Sequence, residues 1–238
     1  MHKHLAILGA FFLLQPECSN AQPKDDLIAA LEQLSTEGNA EATYHLGMAY
    51  HTGSGTSVDR VKALAMFREA AEAGNPLASY KLGCYYDGQG GGLVEDDLAL
   101  ALEYKLVAAE AGYALAQQDV AALFAQSGQM DKAVAWLERA VGQGWPQALA
   151  TYASIHNGAE GIAPDPVKTD AYFRLFLQRQ GGNSKQVEWL REFELGMSEN
   201  EKSRADDIVK RYRPAPTQIT LDALSGQGAA MELIERER

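Results

Sequence analysis

Residues Ala42–Tyr50 read ATYHLGMAY, and 36 residues later Ala78–Tyr86 read ASYKLGCYY. A second pair of stretches follows the same plan, since Lys62–Gly74 read KALAMFREAAEAG and Leu100–Gly112 read LALEYKLVAAEAG, at an offset of 38. Similarity at a fixed period in this range is typical of stacked helix pairs, each of which buries its apolar face against its neighbours. The sequence therefore predicts an all-α fold, an α/α superhelix that presents an extended surface and no closed pocket.

The first repeat shows how each helix pair is built. Ala42, Leu46 and Tyr50 are four residues apart, so they lie on one face of the first helix, called helix A. Gly47 allows the partner helix B to approach closely, and Asp59 is predicted to cap the start of helix B. The predicted buried positions of helix B are Ala63, Phe67, Ala70 and Ala71 in the first repeat and Ala101, Tyr104, Ala108 and Ala109 in the second.

The repeat pattern continues more weakly after the second repeat, and the points where it begins and ends divide the chain into predicted parts. Ser198 and Glu201 have the spacing of a capping box, and the periodicity ends at Pro214 and Pro216. The predicted parts are a signal peptide (1–21), an N-terminal capping helix (22–39), four repeats over 40–182 (40–75, 76–113, 114–145 and 146–182), a C-terminal capping helix pair (183–213) and a flexible or loosely packed tail (214–238).

The first residues have the pattern of a secretory signal. Lys3 precedes the apolar run Leu5–Leu14, and Ser19-Asn20-Ala21 supplies small residues for cleavage after Ala21. The run is shorter than the roughly 20 residues that a membrane-spanning helix needs. We expect a periplasmic or secreted protein without a stable membrane anchor. The alternative is a lipoprotein acylated at Cys18, which the proline and the charge just before that cysteine disfavour.

Charge and cysteine content exclude several classes of function. The formal net charge is −11, which repels nucleic acid and favours a basic partner. A nucleic-acid role is excluded further because no basic cluster with interleaved aromatic residues occurs. After cleavage only Cys84 remains, so the mature chain forms no internal disulfide and depends on packing.

The repeat itself resembles a known family. From Ala42 to Gly74 the pattern A-x-x-x-L-G-x-x-Y-x-x-G-x-G, followed by D-x-x-K-A and A-A-x-x-G, is similar to the Sel1-like repeat, which is tetratricopeptide-like. The resemblance covers roughly residues 40–182 and suggests an exported bacterial member of the family. It implies a right-handed superhelix and a role in binding proteins, because members of the family are mostly adaptors.

One row of side chains is predicted to bind a partner. In solenoids of this type helix A lines the concave face, where exposed aromatic and methionine side chains make good anchors. The predicted partner-binding residues are Tyr44, Met48, His51, Tyr80, Cys84, Asp87, Gln118 and Ser154. The alternative for Tyr44 and Tyr80 is ordinary packing between repeats, and the sequence leaves both possibilities open.

The sequence offers little support for a catalytic site, a metal site or a cofactor site. His45 and His51 are six residues apart, which does not match the ligand spacing on one helix face. A nucleophilic Cys84 would need a positioned base, and only His51 is a candidate. The glycine run Gly88–Gly92 lacks the lysine and Ser/Thr of a phosphate-binding loop. We predict no catalytic residue, no metal site and no cofactor.

The sequence thus favours a non-catalytic protein-binding scaffold or adaptor that engages its partner through the concave helix-A surface. A narrower alternative is an immunity protein that neutralises a secreted toxic effector, for example a basic, phospholipid-seeking type VI phospholipase. A third possibility, a hydrolase of cell-wall-like substrates, has the least support.

Overall fold

The computed structural model describes residues 23–237, which form thirteen α-helices, a π-helical turn (Tyr85–Gln89) and no strand. The helices are α1 (Pro23–Thr36), α2 (Ala40–Thr52), α3 (Arg60–Glu72), α4 (Pro76–Cys84), α5 (Leu98–Glu110), α6 (Ala114–Gln126), α7 (Met130–Gly142), α8 (Pro146–His156), α9 (Pro166–Gln180), α10 (Ser184–Leu195), α11 (Glu199–Arg211), α12 (Gln218–Ser225) and α13 (Gln227–Arg236). The predicted signal peptide, residues 1–21, lies outside the described range.

The helices pack as successive pairs. Helix α2 packs on α3, α4 on α5, α6 on α7 and α8 on α9, and each pair also packs on the next through α3–α4, α5–α6 and α7–α8. Helix α1 packs on α2 at one end, and α10 and α11 pack on α9 at the other. The predicted all-α solenoid is confirmed. No helix between residues 23 and 237 is long and apolar enough to cross a membrane.

Local capping explains where the B helices begin. Helices α3, α5 and α9 each follow an aspartate whose side chain accepts hydrogen bonds from the first turn. The backbone N–H of the same residue donates to a carbonyl at the end of the preceding A helix, or just beyond that end, at 2.8 to 2.9 Å. The pairs are Asp59 with Tyr50, Asp97 with Tyr86, and Asp165 with His156. The predicted cap at Asp59 is confirmed, and one device closes all three long loops.

Two glycines set the spacing within the first two pairs. A Cβ atom on Gly47 would lie 2.8 Å from Cε1 of Phe67, and one on Gly83 would lie 2.6 Å from Cγ of Lys105. Helix α5 buries Ala101, Ala108 and Ala109 as predicted, but its fourth buried residue is Lys105, which is 2% exposed, and not Tyr104. Tyr104 is half-buried and stacks on Tyr86 with ring centroids 5.7 Å apart. The reason is register, because the offset of 38 places Lys105 at the position of Phe67.

The C-terminal segment differs from the expected loose tail. Residues 218–236 form α12 and α13, and α13 packs against both α1 and α2 at the opposite end of the solenoid. The physical reason is an apolar stripe on α13, which the repeat pattern does not reveal. Its buried members are Ala229, Ala230, Leu233 and Ile234.

The two helices before this segment, α10 and α11, each begin with a capping box. Ser198 and Glu201 form the predicted capping box at the start of α11, and Asn183 and Gln186 form another at the start of α10. Helix α10 has no buried residue. It is therefore held to α9 by partly buried side chains, which leaves its aromatic residues accessible.

Candidate binding face

The helices α2, α4, α6 and α8 form one side of the solenoid, called the A-face below. The repeat offsets place Tyr44, Tyr80, Gln118 and Ala150 at equivalent positions of these helices, and Met48, Cys84, Ala122 and Ser154 at another set. The predicted binding residues therefore share a register along the A-face. Their exposure differs sharply from one repeat to the next.

Tyr44 and Tyr80 are packing residues in this structure. Each is 8% exposed. The hydroxyl of Tyr80 donates to Oδ2 of Asp119 at 3.1 Å, and its ring meets Tyr113 edge-on with centroids 5.0 Å apart. Burial is the largest cause of the raised pKa of both phenols. The two tyrosines are thus held between repeats, with little free surface to offer a partner.

Met48 lies beside an apolar cleft. The cleft has a volume of about 450 Å³ and lies where α1 and α2 meet the junction of α12 and α13. Its lining includes Leu27, Ile28, Leu31, Tyr44, Met48, Ala223 and Ala230, with His45 and Asp222 as polar members. This volume falls in the range of ordinary ligand and peptide pockets.

The two histidines of α2 have separate surroundings. His45 is 8% exposed; burial lowers its pKa to about 4, and the nearby charge of Asp222 opposes that effect. His51 is half-buried and its Nδ1 lies 3.0 Å from the hydroxyl of Tyr85. Burial, together with the charges of Lys81 and Arg60, lowers the pKa of His51. Both imidazoles are therefore neutral near pH 7.

A buried charge network lies at the centre of the A-face. The ammonium of Lys105 contacts Oδ2 of Asp87 at 2.5 Å and Oδ2 of Asp119 at 2.7 Å, and the side chain of Lys105 is 3% exposed. Burial alone would lower the pKa of Lys105, but the hydrogen bonds to Asp119 and Asp87 outweigh it and raise the pKa. Lys105 was not among the predicted site residues, although an alignment of the repeats places it at the position equivalent to Phe67.

Cys84 borders this network. Its thiol and the carboxylates of Asp87 and Asp119 have atoms within 4.8 Å of one another, an arrangement that is able to hold a metal ion. The ammonium of Lys105 already bridges both carboxylates there, so the donor set fits an internal charge network better than a metal. Burial raises the pKa of the Cys84 thiol, although Lys105 and Tyr80 oppose it. A nucleophilic thiolate is therefore disfavoured.

Gln118 and Ser154 lie on the second half of the A-face. Oε1 of Gln118 is buried and has no hydrogen-bond partner, and Ser154 is exposed. Ser154 borders a cleft of about 260 Å³ whose lining includes Phe173 and Trp189. Trp189 is 37% exposed and meets Phe173 edge-on at 4.8 Å. Trp189 of α10 therefore offers an accessible aromatic side chain beside this half of the A-face, and the repeat pattern did not predict it.

A polar network fixes the C-terminal segment beside the A-face. Thr217 donates from its hydroxyl to the carbonyl of Gly112 at 2.8 Å. Thr220 donates to Oε1 of Gln143 at 2.8 Å and accepts from the backbone N–H of Ala114 at 3.0 Å. Because α13 continues from this anchor onto α1 and α2, the chain itself covers part of the first half of its predicted binding surface.

The repeats match an established family. The family model described as the Sel1 repeat matches residues 40–75, 76–113 and 125–145. These three stretches of the chain are therefore Sel1 repeats. Helices α8 and α9 extend the Sel1 solenoid by a further pair beyond the matched ranges. No curated protein matches the sequence.

One solved structure has a similar fold, and two others are less similar. The chain is similar to a Sel1 repeat protein from Oxalobacter formigenes at 22% identity and a TM-score of 0.63, with 80% of each chain covered. It is also similar to c5321, a protective antigen of uropathogenic Escherichia coli with an SLR fold, at 18% identity and a TM-score of 0.35, covering 79% of this chain and 56% of that one. The immunity protein Pa5087 of Pseudomonas aeruginosa has 18% identity and a TM-score of 0.34, with 83% of each chain covered. Only the first of these three structures has a TM-score above 0.5, and its similarity supports the solenoid fold.

Proposed function

We propose that this protein with Sel1 repeats is a non-catalytic scaffold that binds a protein partner on α6 and α8, the open half of the A-face, and on the adjacent α10. The observation that carries the proposal is the position of Trp189. A partly exposed tryptophan beside a cleft is the kind of side chain that dominates the energy of protein interfaces. Ser154 lies on the A-helix side of the same cleft.

Charge defines the class of partner. The chain has a formal net charge of −11. The helix that bears Trp189, α10, carries three acids (Glu188, Glu192 and Glu194) against two bases (Lys185 and Arg191). A basic protein surface complements this distribution, and such complementarity mainly accelerates association. The partner we propose therefore has a basic face with an apolar or aromatic contact for Trp189.

The surroundings of the reactive side chains support a non-catalytic role. The imidazole of His51 is engaged by Tyr85, while the pKa of the Cys84 thiol is raised by burial. A nucleophile with a raised pKa and without an adjacent base is poorly activated. We therefore assign Cys84, His51 and Asp87 to packing and charge pairing within the A-face.

Affinity capture with surface variants tests the proposal. Immobilised full-length chain should retain a basic protein from an envelope extract, and Trp189→Ala and Ser154→Arg should each abolish that retention. Val61→Ala is the matched control, because Val61 is an exposed apolar residue (66%) on the B helix α3. Equal retention by Trp189→Ala and by Val61→Ala would place the partner elsewhere on the molecule.

Export is part of the proposed function. We infer that the mature chain begins at Gln22 after cleavage behind Ala21 and acts in the periplasm or outside the cell. N-terminal sequencing of the protein from an envelope fraction tests this. Retained Met1, or a lipid on Cys18, would contradict it.

The narrower hypothesis is an immunity role against a secreted toxic effector. Its physical basis is the acidic surface, which complements a basic, phospholipid-seeking enzyme. Co-expression of this chain should then protect cells from the effector, and Trp189→Ala should remove the protection. Retention of a partner without any protective effect would leave the scaffold function and exclude the immunity role.

A further inference from the structure

Helix α13 is bound in a groove between α1 and α2 as a separate ligand helix would be. It contacts both helices and buries Ala229, Ala230, Leu233 and Ile234, of which Leu233 is fully buried. The spacing of these residues (i, i+1, i+4 and i+5) forms one apolar stripe, the pattern by which amphipathic helices bind hydrophobic grooves. At the rim, Nη2 of Arg236 lies 2.7 Å from Oε2 of Glu41.

The groove that holds α13 is incompletely filled. The cleft of about 450 Å³ lies beside the start of α13, between Leu31 and Tyr44 on the solenoid and Ala223 and Ala230 on the C-terminal helices. Protein interiors are normally close-packed, and atoms that line an empty space lose dispersion contacts. A helix with larger side chains at the position of Ala230 would fill this groove better than α13 does.

The junction before α13 allows it to leave alone. Gly226 has φ 55° and ψ −109°, a conformation that other residues strongly disfavour. Beyond this junction the side-chain hydrogen bonds from α13 to the solenoid, from Gln227 to Ser54 and from Arg236 to Glu41, are both exposed. The buried network of Thr217 and Thr220 lies before the junction, so that anchor remains in place when α13 moves.

We propose that α13 is a displaceable internal ligand, and that the α1–α2 groove binds an amphipathic helix of the partner protein in competition with it. The chemistry of α13 describes this partner helix: two adjacent small or medium apolar residues, a Leu-Ile pair one turn later, and a basic residue that pairs with Glu41. Glu41 and Asp222, on the two sides of the groove, favour a basic helix. The proposal rests on the proposed protein-binding function and assigns the covered half of the A-face to it.

Full-length variants with a peptide probe test the competition. The probe is a fluorescent peptide of residues 226–238, and its affinity for each chain is measured by fluorescence anisotropy. Leu233→Asp in the chain should unseat α13 and bind the probe about tenfold or more tightly than the wild-type chain, because a seated α13 reduces the apparent affinity by the closed fraction. Met231→Asp is the matched control, since Met231 lies on the same helix and is 56% exposed; it should bind the probe as weakly as wild type.

A second pair of variants acts on the backbone at and just after the junction and leaves the buried stripe of α13 unchanged. Gly226→Ala adds a Cβ that meets no atom within 4 Å but forces alanine into the disfavoured conformation, whereas Gly228→Ala favours the ordinary helix of α13. Gly226→Ala should raise probe affinity and speed amide exchange of residues 227–236, and Gly228→Ala should do the opposite. This pair keeps the test valid if Leu233→Asp fails to fold.

The outcomes separate the two proposals. Equal probe affinity of wild type, Leu233→Asp and Gly226→Ala, or no binding to the unseated chains, would overturn the competition while leaving partner capture through Trp189 untouched. Dimers of Leu233→Asp or Gly226→Ala in light scattering would make a second copy of this chain the occupant and overturn the assignment to a partner. Probe binding as expected, with a capture insensitive to Trp189→Ala, would keep the groove and reject the open half of the A-face.

Discussion

The hydroxyl of Thr217 lies 2.8 Å from the carbonyl oxygen of Gly112, which is 105 residues earlier in the chain. Gly112 is the turn residue between α5 and α6, with φ 99°, and its carbonyl also accepts from Nε2 of Gln143 at 2.6 Å. The contact joins the C-terminal segment to the turns of two repeats at once. It therefore determines where α12 begins and directs α13 toward the N-terminal groove.

Thr217→Val tests this anchor. The valine keeps the shape of the threonine but removes the donor to Gly112, and we expect a loss of about 1–2 kcal/mol in the free energy of unfolding measured in urea. Thr36→Val is the matched control, because Thr36 is exposed and bonds only within α1; its effect should stay within about 0.5 kcal/mol. Equal effects of the two substitutions would mean that the anchor contributes nothing.

Gly83→Ala tests the close approach of α4 and α5. The new Cβ would lie 2.6 Å from Cγ of Lys105 and 3.0 Å from the carbonyl oxygen of Ala101, which is backbone and cannot rotate away. We expect a loss of about 1–3 kcal/mol from overpacking. Gly142→Ala meets nothing within 4 Å in α7 and should instead stabilise by about 0.5–1 kcal/mol. Thermal unfolding measures both stability changes. If both variants were stabilised, or both destabilised, the close approach of α4 to α5 would be contradicted.

Lys105→Met tests the buried charge network. Methionine leaves Asp87 and Asp119 without their cation, and removing one partner of a buried ion pair costs about 3–5 kcal/mol. Combining Lys105→Phe with Asp87→Asn and Asp119→Asn should recover most of that loss, because it installs the apolar residue that the first repeat has at Phe67. Chemical denaturation of the wild type, the single variant and the triple variant measures both effects. A triple variant as unstable as Lys105→Met would show that the charges are not the cause.

His45 should make the fold sensitive to acid. Its pKa is about 4 in the folded chain and near 6.5 when unfolded, so the unfolded chain binds the extra proton between these values. Stability is therefore lost as the pH falls from about 6.5 to about 4. We expect His45→Gln to lose about 2 kcal/mol less than the wild type between pH 7 and pH 4.5. Parallel pH profiles of the two proteins, measured by urea unfolding, would reject this assignment.

Asp170 should affect the pH dependence of stability in the opposite direction to His45. Burial raises its pKa to about 6, Glu194 adds to the rise, and Arg174, whose Nη1 lies 3.3 Å from Oδ2 of Asp170, opposes it. The folded chain therefore holds the proton longer than the unfolded chain, and stability is lost as the pH rises from about 4 to about 6. The stability of Asp170→Asn relative to wild type should increase by about 2 kcal/mol across that range. A constant difference between the two proteins would contradict the raised pKa.

Prediction from the sequence succeeded where information is local or periodic. The offsets of 36 and 38 residues define the helix pairs, and the caps at Asp59 and Ser198 follow from side chains that bond within their own first turn. The register of Tyr44 and Tyr80 was also readable, but their burial was not. Whether a residue in a periodic row is exposed depends on what packs over it, and the row itself carries no such information.

The sequence by itself thus determined the all-α solenoid, the order of its helix pairs and the residues that share the A-face, because each of these depends on neighbours within about one repeat. Tertiary structure alone decided that Lys105 is buried between Asp87 and Asp119, and that α13 returns to the groove of α1 and α2. The carboxylates around Lys105 come from the π-helical turn after α4 and from α6. The contacts of the C-terminal segment join residues more than 70 positions apart, and 195 apart for Arg236 and Glu41. Such contacts form only after the solenoid has brought its surfaces together, and the sequence repeat does not predict them.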